Sequence, residues 1–313
     1  MKQYLVTGGA GFIGSHIVRS LLAQGAAVRV LDNFSSGRRE NLEGLSSLEN
    51  GGRLEVVAGD LRDASVVADS VRGVEVIFHE AAFVSVPESL EKPRDCFEVN
   101  ITGTSILLEA ARRAGVRRAV IASSAAVYGN SQALPLREDT PLRPLSPYAL
   151  SKRVAEMFAD LYTASLGLQV VALRYFNVYG PRQRPDSMYA AAVPIFIRRL
   201  RDGQPVTVFG DGGQTRDLIF VGDVVRANLA ASEHPSAAGQ ILNVCTGRST
   251  RLLDLLEVLA GLFPNASKPV FAPPRAGDIY KSLGSPVRAR KVLAFKAETP
   301  LLDGLKETVD WMQ

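Results

Sequence analysis

Val6-Thr7-Gly8-Gly9-Ala10-Gly11-Phe12-Ile13-Gly14 is the stretch on which the fold turns. It follows an apolar run, Gln3–Thr7, that reads as a strand, and it opens a helical pattern, Phe12–Ala23. It satisfies GxGxxG from Gly9 and GxxGxxG from Gly8. Glycine is needed at such points for three reasons: a tight turn, close approach of the backbone to a pyrophosphate, and close packing of helix on sheet. The helix start then offers free N–H groups and the positive end of its dipole to phosphate. Asp32 closes the next apolar run, Ala27–Leu31, 18 residues beyond Gly14. A carboxylate there can accept hydrogen bonds from the adenosine ribose and repels the extra phosphate of NADP. The expected cofactor is therefore NAD; Arg38 and Arg39 are the nearby residues that would argue for NADP.

Outward from this turn, apolar runs alternate with helical patterns. Leu54–Ala58, Val76–His79, Ala119–Ser123 and Val170–Arg174 read as strands, and Arg94–Ala114 and Pro147–Leu166 as helices. Such alternation predicts a parallel sheet covered by helices on both faces. The pattern changes after about Asn177, where Pro and Gly become frequent. Val193–Leu200, Thr250–Leu262 and Leu301–Met312 read as helices, and Leu218–Ala231 as a strand followed by a helix. The expectation is a dinucleotide-binding domain over 1–176, a return segment near 214–247, and a smaller domain over 177–313. The long, proline-containing loop from Gly129 to Ser146 is a candidate functional segment.

The chemistry is carried by Tyr148-Ala149-Leu150-Ser151-Lys152. Ser146 suits an N-cap and Pro147 the first helical position. A spacing of four puts Tyr148 and Lys152 on one helix face. A phenol titrates near pH ~10, too high for a base at neutral pH. A neighbouring ammonium and a cationic nicotinamide are expected to lower it, so that Tyr148 can take a proton from a carbinol as hydride leaves. Ser123-Ser124 ends a predicted strand, and ligands bind at strand carboxyl ends in such sheets.

Bulk composition sets the remaining bounds. The 313 residues carry a net charge of +4, too little for a nucleic-acid-binding surface. Cys96 and Cys245 have no metal-ligand spacing and imply neither a disulfide framework nor an oxidising compartment. No apolar stretch is long enough to span a membrane, and no signal peptide is evident. A cytoplasmic enzyme with no metal, no nucleic-acid partner and no membrane partner is expected.

At this point the chain resembles the extended short-chain dehydrogenase/reductase family, and within it the UDP-hexose 4-epimerases. The resemblance rests on TGGAGFIG at 7–14, DNFSSG at 32–37, GDLRD at 59–63, HEAA at 79–82 and VNITGT at 99–104. It continues through SSAAVYG at 123–129, SPYALSK at 146–152, RYFNVYGPRQ at 174–183, GDGGQTRD at 210–217 and PPRAGD at 273–278. It implies an α/β fold, a Rossmann-type doubly wound parallel sheet with a smaller mixed α/β substrate-binding domain. It implies a cofactor site of Gly8, Gly11, Phe12, Ile13, Gly14, Asp32, Asn33, Ser35, Gly37, Asp60, Leu61, Ala81, Ala82, Asn100, Ser123, Tyr148, Lys152 and Tyr175. Asp60 and Leu61 would flank the adenine, and Lys152 would bind the nicotinamide ribose. Ser124 and Tyr148 would contact the sugar 4-hydroxyl. Ser85, Asn177, Thr207, Phe209, Arg216, Arg275, Asp278 and Ser282 complete the implied UDP-sugar site. The helices Arg94–Ala114 and Pro147–Leu166 resemble the pair that forms a four-helix homodimer interface.

Within that family the residues discriminate further. The 4,6-dehydratases carry acidic residues just after the position of Ser124, whereas here Ala125 and Ala126 follow, which argues against elimination. A UDP-glucuronate 4-epimerase or decarboxylase stays open, with Arg182 and Arg184 as the residues that could hold a sugar carboxylate. Ser282 corresponds to a gate beside the sugar C2 substituent, and a serine leaves room for an N-acetyl group. Ser85-Val86-Pro87-Glu88-Ser89 also resembles the N-acetylhexosamine enzymes, from which Ala126 departs.

Overall fold

A computed structural model describes residues 2–45, 51–185, 191–264, 266–274 and 279–312. The first half builds β1 (Gln3–Thr7), α1 (Phe12–Ala23), β2 (Ala27–Asp32), β3 (Arg53–Ala58), α2 (Ala64–Ser70), β4 (Val76–His79), α3 (Val86–Glu91), α4 (Pro93–Phe97), α5 (Gly103–Arg113), β5 (Arg118–Ser124), α6 (Pro147–Ser165) and β6 (Gln169–Tyr175). The second half adds β7 (Asn177–Tyr179), α7 (Ala192–Arg201), β8 (Thr207–Phe209), β9 (Thr215–Arg216), β10 (Leu218–Phe220), α8 (Val221–Glu233), β11 (Ile241–Val244), β12 (Thr250–Arg251), α9 (Leu252–Ala260), β13 (Val270–Ala272), α10 (Val287–Leu293) and α11 (Leu301–Met312).

Seven strands form one parallel sheet in the order β11-β6-β5-β4-β1-β2-β3. The two-residue period of a strand divides its side chains between two cores. Val6, Val28, Val30, Phe78, Val120 and Leu173 pack with α1 and α8 on one face. Leu5, Leu31, Ile77, Ile121 and Val170 pack with α2, α5 and α6 on the other. A third cluster, built on Tyr179, Phe196, Val208, Phe220, Leu255 and Leu305, holds the smaller mixed α/β region together. Phe12 and Ile13 at the start of α1 pack against that cluster, so the glycine turn lies where the two regions meet.

Three elements differ from the sequence reading. The seventh strand, β11, comes from the short run Ile241–Val244, which an asparagine interrupts. Thr250 and Arg251, expected to begin a helix, instead form β12, antiparallel to β9. Between α4 and α5 the stretch Glu98–Thr102 winds as a π-helix, a form found disproportionately at functional sites. The expected loop 129–146 is fixed by backbone bonds from Leu136 N to Leu283 O (2.8 Å) and from Ser285 N to Leu136 O (2.9 Å). Among the described residues, no helix is long and apolar enough to cross a membrane, and no cluster of His, Cys, Asp or Glu is placed to hold a metal ion.

Candidate active site

The turn after β1 can be tested for its fit to a dinucleotide by asking what side chains there would strike. Gly8 has φ +68°, and a Cβ on it would lie 2.6 Å from the backbone nitrogen of Ala81. A Cβ on Gly14 would lie 2.2 Å from the carbonyl oxygen of Gly8, and one on Gly11 3.1 Å from that same oxygen. The obstacles are backbone atoms and cannot swing aside. The turn therefore stays bare and leaves the N–H groups at the start of α1 for an anion. Asp32, at the end of β2, is buried, and its carboxylate accepts from Ala10 N (2.9 Å) and Phe34 N (2.8 Å). Gly37 is needed beside it, since a Cβ there would lie 2.9 Å from both carboxylate oxygens. The Arg39 guanidinium stacks 4.1 Å from the centre of the Phe34 ring. Asn33 donates to Asp60 (2.8 Å) and caps the turn by accepting from Ser35 N (3.0 Å). Arg62 grips both oxygens of Asp60 at 2.8 Å and holds its carboxyl well below the usual carboxylate range. Leu61 is buried in the second core. These residues fit a dinucleotide with free ribose hydroxyls.

On the next strands the sheet delivers the reacting groups. Ser124 ends β5, and its hydroxyl accepts from Ala126 N (3.1 Å) and hydrogen-bonds the Tyr148 side chain. The Ser146 side chain caps α6 by accepting from Ala149 N at 3.1 Å, and Pro147 takes the first helical position. Tyr148 and Lys152 share a face, with the ammonium nitrogen 5.8 Å from the phenol ring centre. Lys152 is buried and donates to the carbonyl of Ala122 at 2.8 Å. Burial pulls its pKa down to about 8, against the opposing pull of Glu80.

Burial raises the Tyr148 phenol above its ordinary value, the Ser124 hydrogen bond lowers it, and Cys96 and Glu80 raise it again. The Lys152 ammonium, which donates to the Ala122 carbonyl, lies 5.8 Å from the centre of the phenol ring.

Several residues named for the cofactor act as braces. Asn100, on the π-helical turn, accepts from Phe83 N (2.7 Å) and donates to Phe83 O (3.0 Å) and Ser151 Oγ (2.9 Å). It thereby fixes the backbone around Ala81 and Ala82 against α6. The Ser123 hydroxyl is engaged away from the cleft, donating to Glu156 at 2.7 Å. Glu156 also takes both Arg174 Nε (2.7 Å) and an Arg174 Nη (2.9 Å), and that guanidinium donates to the Tyr128 hydroxyl at 2.8 Å. The Tyr175 hydroxyl donates to Glu80 at 2.7 Å and accepts from Asn228 at 2.8 Å. His79 is held between Thr7 (2.7 Å) and Thr104 (2.9 Å), and burial pulls its pKa down to about 3.

Two residues beyond Tyr175 the chain reaches a cavity of about 730 Å³. Asn177, Thr207, Phe209 and Arg216 all line it, together with Phe196, Gln214 and Leu252. Ser282 joins the same neighbourhood, its N–H donating to Thr215 O at 3.1 Å next to Arg216. Ser85 caps α3, accepting from Glu88 N at 3.2 Å. Arg275 and Asp278 lie outside the described residues. Arg182, at φ +68°, follows Pro181, whose carbonyl bonds His16 of α1, and it lies close enough to Arg19 for their charges to repel. Arg184 donates to Ser36 O at 3.2 Å.

Sequence reasoning missed Asp217 and Glu80. Asp217 is fully buried and accepts from Thr246 N (2.8 Å), Thr246 Oγ1 (2.6 Å), Gly247 N (3.0 Å) and Gly284 N (3.2 Å), tying β9 to the chain before α10. Its signal was an acid closing GDGGQTRD, but its partners come from segments 29 to 67 residues away.

Comparison with known proteins agrees with this geometry. The model of the NAD dependent epimerase/dehydratase family matches residues 4–245. A UDP-glucose 4-epimerase of Mycolicibacterium smegmatis is 43% identical over 99% of this chain and 98% of its own. The crystal structure of the UDP-glucose 4-epimerase of Thermotoga maritima with UDP-glucose superposes with a TM-score of 0.93 at 37% identity, covering 99% of this chain and 98% of that one. A UDP-N-acetylglucosamine 4-epimerase from Methanobrevibacter ruminantium, in complex with UDP-N-acetylmuramic acid, superposes at 0.94 with 36% identity and the same coverage.

Proposed function

The chain belongs to the NAD dependent epimerase/dehydratase family, and from that premise we propose that it is a UDP-hexose 4-epimerase. Its reaction interconverts UDP-glucose and UDP-galactose, and also their N-acetylated counterparts. The observation that carries this reading is the cluster of Ser124, Tyr148 and Lys152 at the carboxyl edge of the sheet, followed by Ala125 and Ala126. Two alanines supply no acid for elimination, which favours oxidation of the carbinol followed by its restoration.

NAD would be held by the turn from Gly8 to Gly14 and by Asp32, with Lys152 on the nicotinamide ribose. Bound there, it supplies the acceptor and donor of hydride at sugar C4. Tyr148 takes the proton of the 4-hydroxyl and returns it after the sugar has turned over. Ser124 bonds the reacting oxygen and passes the proton to the phenol. Burial raises this phenol and the Ser124 hydrogen bond lowers it; the Lys152 ammonium and the positive charge of a bound oxidised nicotinamide would both favour the phenolate. Asn177, Thr207, Phe209, Arg216, Arg275 and Asp278 keep the nucleotide clamped, which leaves the sugar free to rotate. Ser282 gives the C2 substituent room.

Arg184 donates to Ser36 O, which gives the sugar-carboxylate reading no support from that residue. The domain division at 176, with 214–247 returning to the first domain, is supported by β11 joining the main sheet. A cytoplasmic homodimer completes the reading. Leu150, Met157 and Leu161 lie exposed along one stripe of α6, as a four-helix interface requires. The test is incubation of the purified protein with UDP-glucose, UDP-N-acetylglucosamine and UDP-glucuronate. Inversion at C4 of the first two supports the proposal; turnover of UDP-glucuronate alone overturns it.

A further inference from the structure

An asparagine stands in β11 where the strand is otherwise apolar: Asn243 is fully buried, between Leu242 and Val244. A buried amide is costly unless it is hydrogen-bonded, and the bonds of Asn243 lead away from the sheet. Its Nδ2 donates to the Leu136 carbonyl at 2.9 Å, and its Oδ1 accepts from the Tyr128 hydroxyl at 2.7 Å. β11 is an edge of the sheet, and the main-chain N–H of Asn243 donates at 2.9 Å to the carboxylate of Glu138, whose side chain is buried. Leu136 and Glu138 both belong to the loop 129–146.

That loop holds a second segment in turn. Leu136 N donates to Leu283 O at 2.8 Å and Ser285 N donates to Leu136 O at 2.9 Å, which pairs Leu136 with Gly284. Gly284 has no room for a side chain, since a Cβ there would lie 2.6 Å from the Phe176 ring. The other end of the segment pairs with β9: Thr215 N donates to Tyr280 O at 2.9 Å, and Ser282 N donates to Thr215 O at 3.1 Å. Thr215 is flanked by Gln214 and Arg216, which line the cavity. Ser282 therefore lies between two anchors, one on the cavity wall and one on Leu136. Leu136 belongs to no strand, so its place depends on side-chain packing and on the bonds from β11.

We propose that Asn243 and Glu138 are positioning residues for substrate selection, which act through Leu136 to hold the segment 280–285 where Ser282 suits a C2 N-acetyl group. The proposal rests on the reading of Ser282 as the residue beside that substituent. A plain hexose offers the segment only a hydroxyl at C2, so a loosened segment costs the N-acetylated sugar more. Packing of Leu136 against Val127, Tyr128 and Cys245 survives loss of the bonds, so the segment is loosened and the fold is kept.

The experiment uses NAD-loaded protein in a Tyr148→Phe background, where turnover is slowed. Hydrogen exchange is measured at the Leu136 and Ser285 amides, and UDP-glucose and UDP-N-acetylglucosamine are titrated calorimetrically. In Asn243→Leu and Glu138→Leu both amides are expected to exchange faster. The Kd for UDP-N-acetylglucosamine should rise at least about threefold relative to that for UDP-glucose. Glu138→Gln keeps an acceptor for the Asn243 N–H and should restore both readouts. Unmoved exchange, an unmoved Kd ratio, an equal loss for both sugars, or a Glu138→Gln that matches Glu138→Leu overturns the proposal. Should Asn243→Leu not fold, the two Glu138 variants decide alone. With Tyr148 in place, C4 inversion alongside an unmoved ratio overturns the proposal and leaves the epimerase reading standing. A shifted ratio in a protein that inverts neither sugar upholds the positioning role and overturns that reading.

Discussion

Glu156→Leu removes the acceptor at the centre of the buried polar network beneath the site. Glu156 is fully buried, and Arg174 is only 2% exposed. The carboxylate takes four donors: the Ser123 hydroxyl, two nitrogens of Arg174, and Arg153 at 3.2 Å. Without it, Arg174 keeps the Tyr128 hydroxyl (2.8 Å) and the Glu138 carbonyl (3.3 Å), both neutral, for a full charge out of water. Breaking a buried pair from one side costs about 3–5 kcal/mol, because the remaining charge is uncompensated. Two apolar residues in place of the pair carry no such charge, so Glu156→Leu with Arg174→Leu should lose less than the sum of the singles by at least about 1 kcal/mol. Thermal melts at fixed protein and NAD concentrations provide the assay, since bound ligand shifts Tm. The single variant is expected to melt lower by on the order of 10 °C. Because Ser123 precedes Ser124, activity should also fall at temperatures where the variant is still folded. A single variant that loses less than about 1 kcal/mol, or strict additivity in the double, would refute the reasoning.

Three further outcomes are expected from the geometry. Gly14→Ala places a methyl 2.2 Å from the Gly8 carbonyl, so NAD affinity should fall at least about tenfold, equivalent to ~1.4 kcal/mol, with the circular dichroism spectrum unchanged; isothermal titration checks this, and undiminished binding would contradict it. Ser282→Tyr should abolish turnover of UDP-N-acetylglucosamine while sparing UDP-glucose, and equal loss of both would remove the gate. Met157→Glu, on the exposed stripe of α6, should sediment as a monomer, and an unchanged sedimentation coefficient would place the dimer interface elsewhere.

The features legible in the sequence were local ones. The glycine turn, Asp32 at a fixed distance beyond it, and Tyr148 four residues before Lys152 are each set by one strand–turn–helix or one helical turn. Their placement in space is dictated by backbone geometry. The direction of the Lys152 ammonium was not legible, because the Ala122 carbonyl that turns it belongs to another strand. Glu80, Tyr175 and Asn228 lie on three elements, and no spacing along the chain announces their meeting. The Ser123 hydroxyl was read as part of the cleft from its position at a strand end, yet alternation sends it to the α6 face, where Glu156 waits. The cavity residues Asn177, Thr207, Phe209 and Arg216 came from family resemblance. Their neighbours Gln214 and Asp217 became visible only once β9 was seen beside its partner segments.

The central claim is that Tyr148 removes and returns one proton at sugar C4. Purified protein given UDP-glucose with no added NAD, its products separated by sugar, tests it most directly when run beside Tyr148→Phe. The unaltered protein is predicted to accumulate UDP-galactose, and the variant to be slower by roughly 10²–10⁴, the usual contribution of a positioned acid/base. Undiminished inversion by Tyr148→Phe would contradict the claim.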